Sequence, residues 1–86
     1  MARYELTFAA RATKDLRGVP KANVRRIMQR ILALQDDPLP LGAKKLSGQE
    51  TYRVRQGDYR ILYTIIDDVL SIDIIQTGHR RDVYRS

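Results

Sequence analysis

The spacing of apolar residues changes once along this chain, and that change limits the folds that it can adopt. Between residues 8 and 34, apolar side chains recur every three or four positions, as on one face of an α-helix. Between residues 51 and 77 they alternate with polar side chains, as in β-strands buried on one side. The pattern predicts an α+β fold in which the helices precede most of the strands.

Turn-forming residues divide the first half into a strand and two helices. A short strand is predicted at residues 3–7. The apolar stripe of the first helix consists of Phe8, Ala12, Leu16 and Val19. Gly18 can end this helix and Pro20 suits the first turn of the next, so we expect a helical hairpin whose second helix runs from about residue 20 to residue 35. Residues 36–47 are predicted to form a loop.

Two tight turns predict how the strands of the second half pair. The strands are predicted at residues 51–55, 58–66 and 69–77. With Gln56-Gly57 and Asp67-Asp68 as two-residue loops, Arg53 would lie directly opposite Arg60. One face of this antiparallel sheet is apolar and should pack against the helical hairpin, while the other carries Arg53, Arg55 and Arg60. Like charges placed opposite each other are unfavourable unless an anion lies nearby.

The same pairing predicts where the C-terminal residues lie. Thr77 would face Asp58, so the segment that follows would leave the sheet beside the first turn. Arg80, Arg81 and Tyr84 could then reach the three arginines of the sheet. Together they would form a concave cationic surface that fits an RNA phosphodiester, with Tyr84 as a base-stacking or proton-handling group.

Each of these assignments has a plainer alternative. The arginines could form a solvated face on which Asp58 offsets Arg55. His79 has the intrinsic pKa for acid–base chemistry but could equally be an exposed turn residue. Tyr84 could simply pack near the C-terminus.

Charge points towards the same class of partner. The 86 residues suffice for one domain, residues 1–86, and include sixteen basic residues, twelve of them Arg, against ten acidic ones. A net charge of +6 favours nucleic acid as partner, although a merely soluble basic protein is the alternative. Lys44 and Lys45 fit either phosphate contact or solubility. The cluster of Arg25, Arg26 and Arg30 fits a solvated face or a second contact with nucleic acid or protein.

Several classes of function are disfavoured. The chain has no Cys, which excludes disulfides and Cys-based zinc sites, and its single His makes a protein-only metal site improbable. We therefore expect neither metal nor cofactor. The chain contains no long apolar run, so we expect a soluble, cytoplasmic protein without a membrane partner.

Two C-terminal motifs resemble the RelE branch of the RelE/ParE toxin superfamily of type II toxin–antitoxin systems. They are Tyr-Arg-Val-Arg-Gln-Gly-Asp-Tyr-Arg-Ile-Leu-Tyr at residues 52–63 and Gly-His-Arg-Arg-Asp-Val-Tyr at residues 78–84. The segment at residues 42–48 also fits. The resemblance implies a β-α-α-β-β-β fold with an antiparallel sheet whose last strand lies beside the first.

The resemblance also implies an activity and a set of catalytic residues. Such a toxin would be a ribosome-dependent mRNA interferase, an endoribonuclease that cuts the A-site codon by 2′-OH attack and so inhibits translation. Arg53 and Arg55 stand where the family has paired basic residues, and Arg60 matches its transition-state arginine. Arg80 matches an arginine linked to leaving-group protonation, and Tyr84 matches a tyrosine that stacks on or deprotonates the substrate. Arginine holds its proton too tightly to act as a base at residue 55, where a lysine base has been proposed in the family. Proton transfer would then fall to Tyr84, His79, ribosomal groups or solvent.

The partners that the resemblance implies are the ribosome with mRNA and a cognate, acidic antitoxin that folds on binding to form a hetero-oligomer. Two alternatives share the same fold. One is a ParE-like DNA gyrase poison, and the other is a catalytically inactive module that binds nucleic acid or antitoxin.

Overall fold

The computed structural model of this protein describes residues 3–46 and 50–79, which form an α+β fold. In chain order the elements are β1 (Glu5–Phe8), α1 (Ala10–Arg17), α2 (Lys21–Leu34), β2 (Lys44–Lys45), β3 (Thr51–Gln56), β4 (Tyr59–Ile66) and β5 (Ser71–His79). A turn of 3₁₀-helix at Asp67–Val69 joins β4 to β5. The predicted fold class and helical hairpin are confirmed.

The five strands form one mixed sheet in the order β1-β5-β4-β3-β2. Strands β3, β4 and β5 are antiparallel neighbours, as predicted, and the first strand lies beside the last. The short β2 adds a further antiparallel strand beside β3. The first strand is parallel to β5, however, so the sheet is not wholly antiparallel. No tight turn joins β1 to β5, so local geometry does not impose an antiparallel direction on this pair.

Both helices pack against one face of the sheet. The core residues, all with 0% exposure, are Ala12, Ile27, Ile31, Leu34, Val54, Ile61, Tyr63, Ile72 and Ile74. The apolar sheet face predicted from the alternation is thus largely confirmed. Phe8 departs from its prediction, because it is the last residue of β1 rather than part of the first helix.

The β3–β4 turn lies one residue later than predicted. Its loop is Gly57-Asp58, so Arg55 pairs with Arg60 and Val54 with Ile61. Gly57 has a φ of +60° at the first loop position, where a type II′ hairpin turn favours glycine. The predicted pairing of Arg53 with Arg60 is therefore wrong. Every residue of β3 and β4 nevertheless keeps its predicted face of the sheet, because shifting the loop by one residue moves each pairing partner by two positions.

The β4–β5 connection differs more from the prediction. It is a four-residue turn that ends at Leu70, which has a left-handed φ of 49°. Leu70 was expected on the apolar face of the sheet, but it lies in this turn instead. Farther along, Tyr63 pairs with Ile74 but Leu62 pairs with Gln76, which leaves Ile75 as a β-bulge. The bulge moves every later residue of β5 to the opposite face.

Two further predictions are wrong. One fails because of the bulge, and the other because the pattern missed a strand. Thr77 pairs with Ile61 on the helix side, not with Asp58 among the arginines. The predicted loop at residues 36–47 contains β2, whose two residues pair with Arg53 and Tyr52. A strand of two residues is too short for alternation to reveal.

The buried Tyr63 should make the fold less stable at alkaline pH. Its hydroxyl donates a hydrogen bond of 2.7 Å to the carbonyl oxygen of Pro38, and burial raises the pKa of Tyr63 to about 12. The unfolded chain loses this proton near pH ~10. The free energy of unfolding should therefore fall as the pH rises from about 10 to about 12.

Tyr63→Phe should remove that alkaline loss and lower the free energy of unfolding at neutral pH by about 1 kcal/mol, because the hydrogen bond is lost. Urea denaturation at neutral and alkaline pH measures both effects. Tyr52→Phe is the matched control, since the Tyr52 ring stacks on Tyr63 at a centroid distance of 6.0 Å. This variant should keep most of the alkaline loss, because burial is the largest cause of the raised pKa of Tyr63. Identical alkaline slopes for wild type and Tyr63→Phe would contradict the assignment.

Candidate functional site

Four basic residues lie on the side of the sheet opposite the helices. Val54 and Ile61 point into the core, so their neighbours Arg53, Arg55 and Arg60 lie on the outer side. Lys44 is paired with Arg53 and joins them there. We call Lys44, Arg53, Arg55 and Arg60 the cationic face.

Two arginines of the cationic face are held close to the sheet. The Nε atoms of Arg53 and Arg60 are buried, whereas Arg55 is exposed. Leu62 lies directly opposite Arg53 and is only 7% exposed, although neither of the described helices covers this side. The aliphatic stem of an arginine can cover an apolar neighbour while its guanidinium stays at the surface. The arginines thus have restricted positions rather than free solvated ones.

The direct pairing of Arg55 with Arg60 favours an anion between them. Opposed like charges in a sheet cost roughly 0.2–1 kcal/mol. A small cleft of about 40 Å³ lies at this point, lined by Arg55, Gly57, Asp58 and Arg60. Arg55 forms no ion pair with any of the described residues. Because a guanidinium binds two phosphate oxygens at once, a phosphodiester suits this position.

The described part of the chain does not bring the other predicted site residues onto the cationic face. Lys45 pairs with Tyr52 on the helix side, and its Nζ lies 3.8 Å from Oε1 of Glu50. It therefore lies across the sheet from Lys44, and only one of the two lysines joins the cationic face. Arg80, Arg81 and Tyr84 lie outside the described residues, so their convergence with the arginines remains a prediction.

His79 does not lie where the sequence placed it. It is the last residue of β5, opposite Tyr59, and the two rings make an edge-to-face contact with a centroid distance of 5.8 Å. The hydroxyl of Tyr59 accepts a hydrogen bond of 3.4 Å from Asn23 of α2, which puts both rings on the helix side. The bulge at Ile75 and the length of β5 place His79 at the end of a strand on the helix side, not in an exposed turn.

The chemistry of the cationic face is charge stabilisation. An arginine offers five N–H donors and no acceptor. Within residues 3–46 and 50–79, no His side chain lies on this face. It can bind and stabilise a phosphate that gains negative charge, but its own side chains are poor proton carriers.

Gln76 is a residue of this face that the sequence reasoning missed. It lies opposite Leu62 in the row that begins with Lys44 and Arg53. It is 9% exposed, and its Oε1 is buried without a hydrogen-bond partner in the part of the chain that the structure describes. In a strictly alternating strand Gln76 would lie on the apolar face, so a polar residue at that position was the available signal.

Helix α1 holds the end of β5 in place. The backbone N–H of Thr77 donates to Oδ2 of Asp15 at 3.3 Å, and the Thr77 hydroxyl donates to the carbonyl oxygen of Ala12 at 2.9 Å. These bonds tie the last residues of the strand to the helix layer. They set the direction in which the chain enters the segment that carries Arg80.

Comparison with known families decides the classification. Residues 6–84 match the family described as the ParE toxin of the type II toxin–antitoxin system parDE. The chain belongs to the RelE/ParE toxin superfamily. The putative toxin RelE1 of Methanocaldococcus jannaschii is 30% identical over 88 residues, which cover 98% of each chain. This similarity indicates the RelE branch.

Solved RelE structures have the same fold as this RelE-type toxin. The toxin–antitoxin complex RelBE2 of Mycobacterium tuberculosis matches with a TM-score of 0.83 and 29% identity, covering 95% of this chain and 97% of that one. The archaeal RelE–RelB complex of Pyrococcus horikoshii matches with a TM-score of 0.80 and 29% identity over 100% of both chains.

Two features are absent from the described residues, a metal-binding cluster and a membrane-spanning helix. No group of three or more His, Cys, Asp or Glu side chains within them is arranged to hold a metal ion. None of the helices in the described ranges is long and apolar enough to cross a membrane.

Removing one charge of the opposed pair should stabilise the toxin. Arg55→Gln should raise the free energy of unfolding by about 0.5 kcal/mol at low ionic strength, because the repulsion with Arg60 is lost. The gain should shrink in high salt, where exposed charges are screened. Arg25→Gln, at an exposed position on α2, removes the same net charge as a control. Equal changes for both variants in urea denaturation would show that Arg55 and Arg60 do not repel each other measurably.

Proposed function

We propose that this type II toxin is a ribosome-dependent mRNA endonuclease. In the proposed reaction, a ribose 2′-OH attacks the adjacent phosphorus and the 5′-oxygen leaves, which gives a 2′,3′-cyclic phosphate and a 5′-hydroxyl. The observation that carries the proposal is the opposed pair Arg55–Arg60 beside an anion-sized cleft. The attack makes the phosphorus pentacoordinate and adds negative charge, which two neighbouring guanidinium groups would stabilise.

The residues of the cationic face divide this work. Arg55 and Arg60 lie closest to the cleft and would bind the oxygens of the phosphorane. Arg53 and Lys44 form the neighbouring row and would hold a flanking phosphate of the same strand. Arg80 and Tyr84 are proposed to complete the site, Arg80 at the leaving oxygen and Tyr84 on a base.

A dependence on the ribosome follows from the chemistry of the described residues. The cationic face stabilises charge but holds no efficient proton carrier among them, so the rate must come from elsewhere. Holding the 2′-OH in line with the phosphorus can contribute about 7–11 kcal/mol at most. We infer that the ribosome supplies this positioning in the A site and that ribosomal groups, Tyr84 or solvent move the protons.

A cognate antitoxin is the second proposed partner. The RelE proteins of M. tuberculosis and P. horikoshii were solved in complexes with their antitoxins. We propose that this toxin forms a comparable hetero-oligomer with a small acidic antitoxin. Acidic side chains over the cationic face would both bind the toxin and occupy the phosphate position. The exposed Arg25 and Arg26 of α2 would be a further contact.

Arg60→Ala tests the role of the opposed pair. The variant should cut the A-site codon about 10²- to 10³-fold more slowly, because one preorganised donor to the phosphorane is lost. Arg17→Ala, an exposed position on α1, is the control and should cut at the wild-type rate. The measurement is 5′-end mapping of translated messages after induction in cells, with rates taken from programmed ribosomes. An Arg60→Ala variant that cuts at the wild-type rate would remove the main support for the proposal.

The C-terminal part of the proposal needs its own variant. Arg80→Ala combined with Tyr84→Phe should abolish growth arrest while the far-ultraviolet circular dichroism spectrum stays unchanged. Equal toxicity of this double variant would contradict a nuclease that uses these residues. Stalled gyrase–DNA complexes in place of cut messages would instead assign the activity of a ParE-like gyrase poison.

Purified RNA should be a poor substrate. The wild-type toxin should leave naked message almost uncut and should cut the same message once it is bound to ribosomes with a vacant A site. The physical reason is the missing positioning energy. Similar cleavage rates with and without ribosomes would show that the chain carries its own complete acid–base machinery.

A further inference from the structure

A second, larger cleft opens at the edge of the sheet beside α1. Strand β1 pairs with β5 only as far as Ile74, so within the described residues the edge of β5 from residue 75 onward has no strand beside it. The cleft of about 190 Å³ lies there, and the side chains and backbone that matter for its chemistry belong to Arg11, Asp15, Tyr59, Gln76, Gly78 and His79. It opens around the strand end, because Gln76 is on the outer side of β5 and Tyr59 on the helix side.

Gln76 lines this cleft, and its side chain carries a hydrogen-bond acceptor without a partner in the described residues. Its Oε1 is buried and has no partner in the described part of the chain, although the residue is only 9% exposed. An unsatisfied buried acceptor costs about 1–3 kcal/mol, and folded proteins keep few of them. A ligand that brings an N–H or O–H donor would remove this cost, so the carboxamide points to a polar ligand.

The other walls fit a nucleoside better than a bare phosphate. The rings of Tyr59 and His79 offer flat surfaces at the helix side of the cleft. Arg11 supplies donors, but the Asp15 carboxylate offsets its charge and is a further acceptor. A base and ribose present both donors and acceptors and a flat apolar surface, whereas a phosphate would be repelled by Asp15.

The cleft is next to the cationic face. Gly78 lines it and pairs with Arg60 across the sheet, so the two backbones are about 4.8 Å apart. We propose that this cleft binds the nucleoside adjoining the RNA linkage held by Arg55 and Arg60, with Gln76 accepting a hydrogen bond from it. The inference rests on the proposed function and adds a subsite to it, and a strand bound there would wrap around the end of β5.

Nuclear magnetic resonance of the free toxin tests the subsite without catalysis. The probes are the four ribonucleoside 5′-monophosphates, with inorganic phosphate as the control. The nucleotides should shift the side-chain amide signals of Gln76 and the ring signals of Tyr59 and His79, whereas inorganic phosphate should shift only the signals of Arg55 and Arg60. If no nucleotide shifts the Gln76 signals, or if inorganic phosphate shifts them equally, the proposal is wrong.

A kinetic comparison tests whether the subsite contributes to substrate binding. Gln76→Met removes the acceptor with little change in size and should raise KM for programmed ribosomes about tenfold with kcat nearly unchanged, since one ligand hydrogen bond is lost. Gln29→Met, at an exposed position on α2, is the matched control and should leave both constants unchanged. An unchanged KM for a folded Gln76→Met would overturn the proposal, and if this variant does not fold, the nucleotide titration of the wild type decides.

The two proposals can fail separately. A wild-type toxin that never cuts ribosome-bound message contradicts the proposed function, whatever the titration shows. A toxin that cuts normally but gives no nucleotide shift at Gln76, Tyr59 and His79 contradicts only the subsite.

Discussion

The opposed guanidinium groups of Arg55 and Arg60 are the constraint on which the functional interpretation depends. The Gly57-Asp58 turn sets their register, and the fully buried pair Val54–Ile61 holds the same two strands from the helix side. Core packing thus keeps together two charges that would otherwise separate. Functional sites often keep such a local conflict, because a ligand of opposite charge relieves it. Here the proposed relieving ligand is a phosphate group.

The same charge accounts for both proposed partners. A surface rich in arginine binds the backbone of RNA and is also attractive to an acidic antitoxin, so one interaction can serve toxicity and its neutralisation. The described side chains of the cationic face stabilise charge and carry protons poorly. The proposed dependence on a ribosome would then follow from the residue types of the cationic face.

The sheet shows where sequence patterns succeed and where they fail. Alternation identified the apolar and cationic faces, although the predicted loop was one residue too early, because this shift does not exchange the faces. The Gln-Gly-Asp segment allows glycine at either loop position, and only pairing along the whole strand selects one. The bulge at Ile75 moved Thr77 to the helix side, and the alternation of side chains does not by itself locate an extra residue.

The sequence by itself determined the α+β class, the helical hairpin, the grouping of Arg53, Arg55 and Arg60 and the basic character that favours an anionic partner. Periodicity and charge are properties of neighbouring residues, so they can be read along the chain. Only the tertiary structure decided that Arg55 opposes Arg60, that Lys44 but not Lys45 joins them, and that His79 lies across the sheet beside Tyr59. These placements depend on register and on a bulge, which are selected by the packing of distant segments against one core.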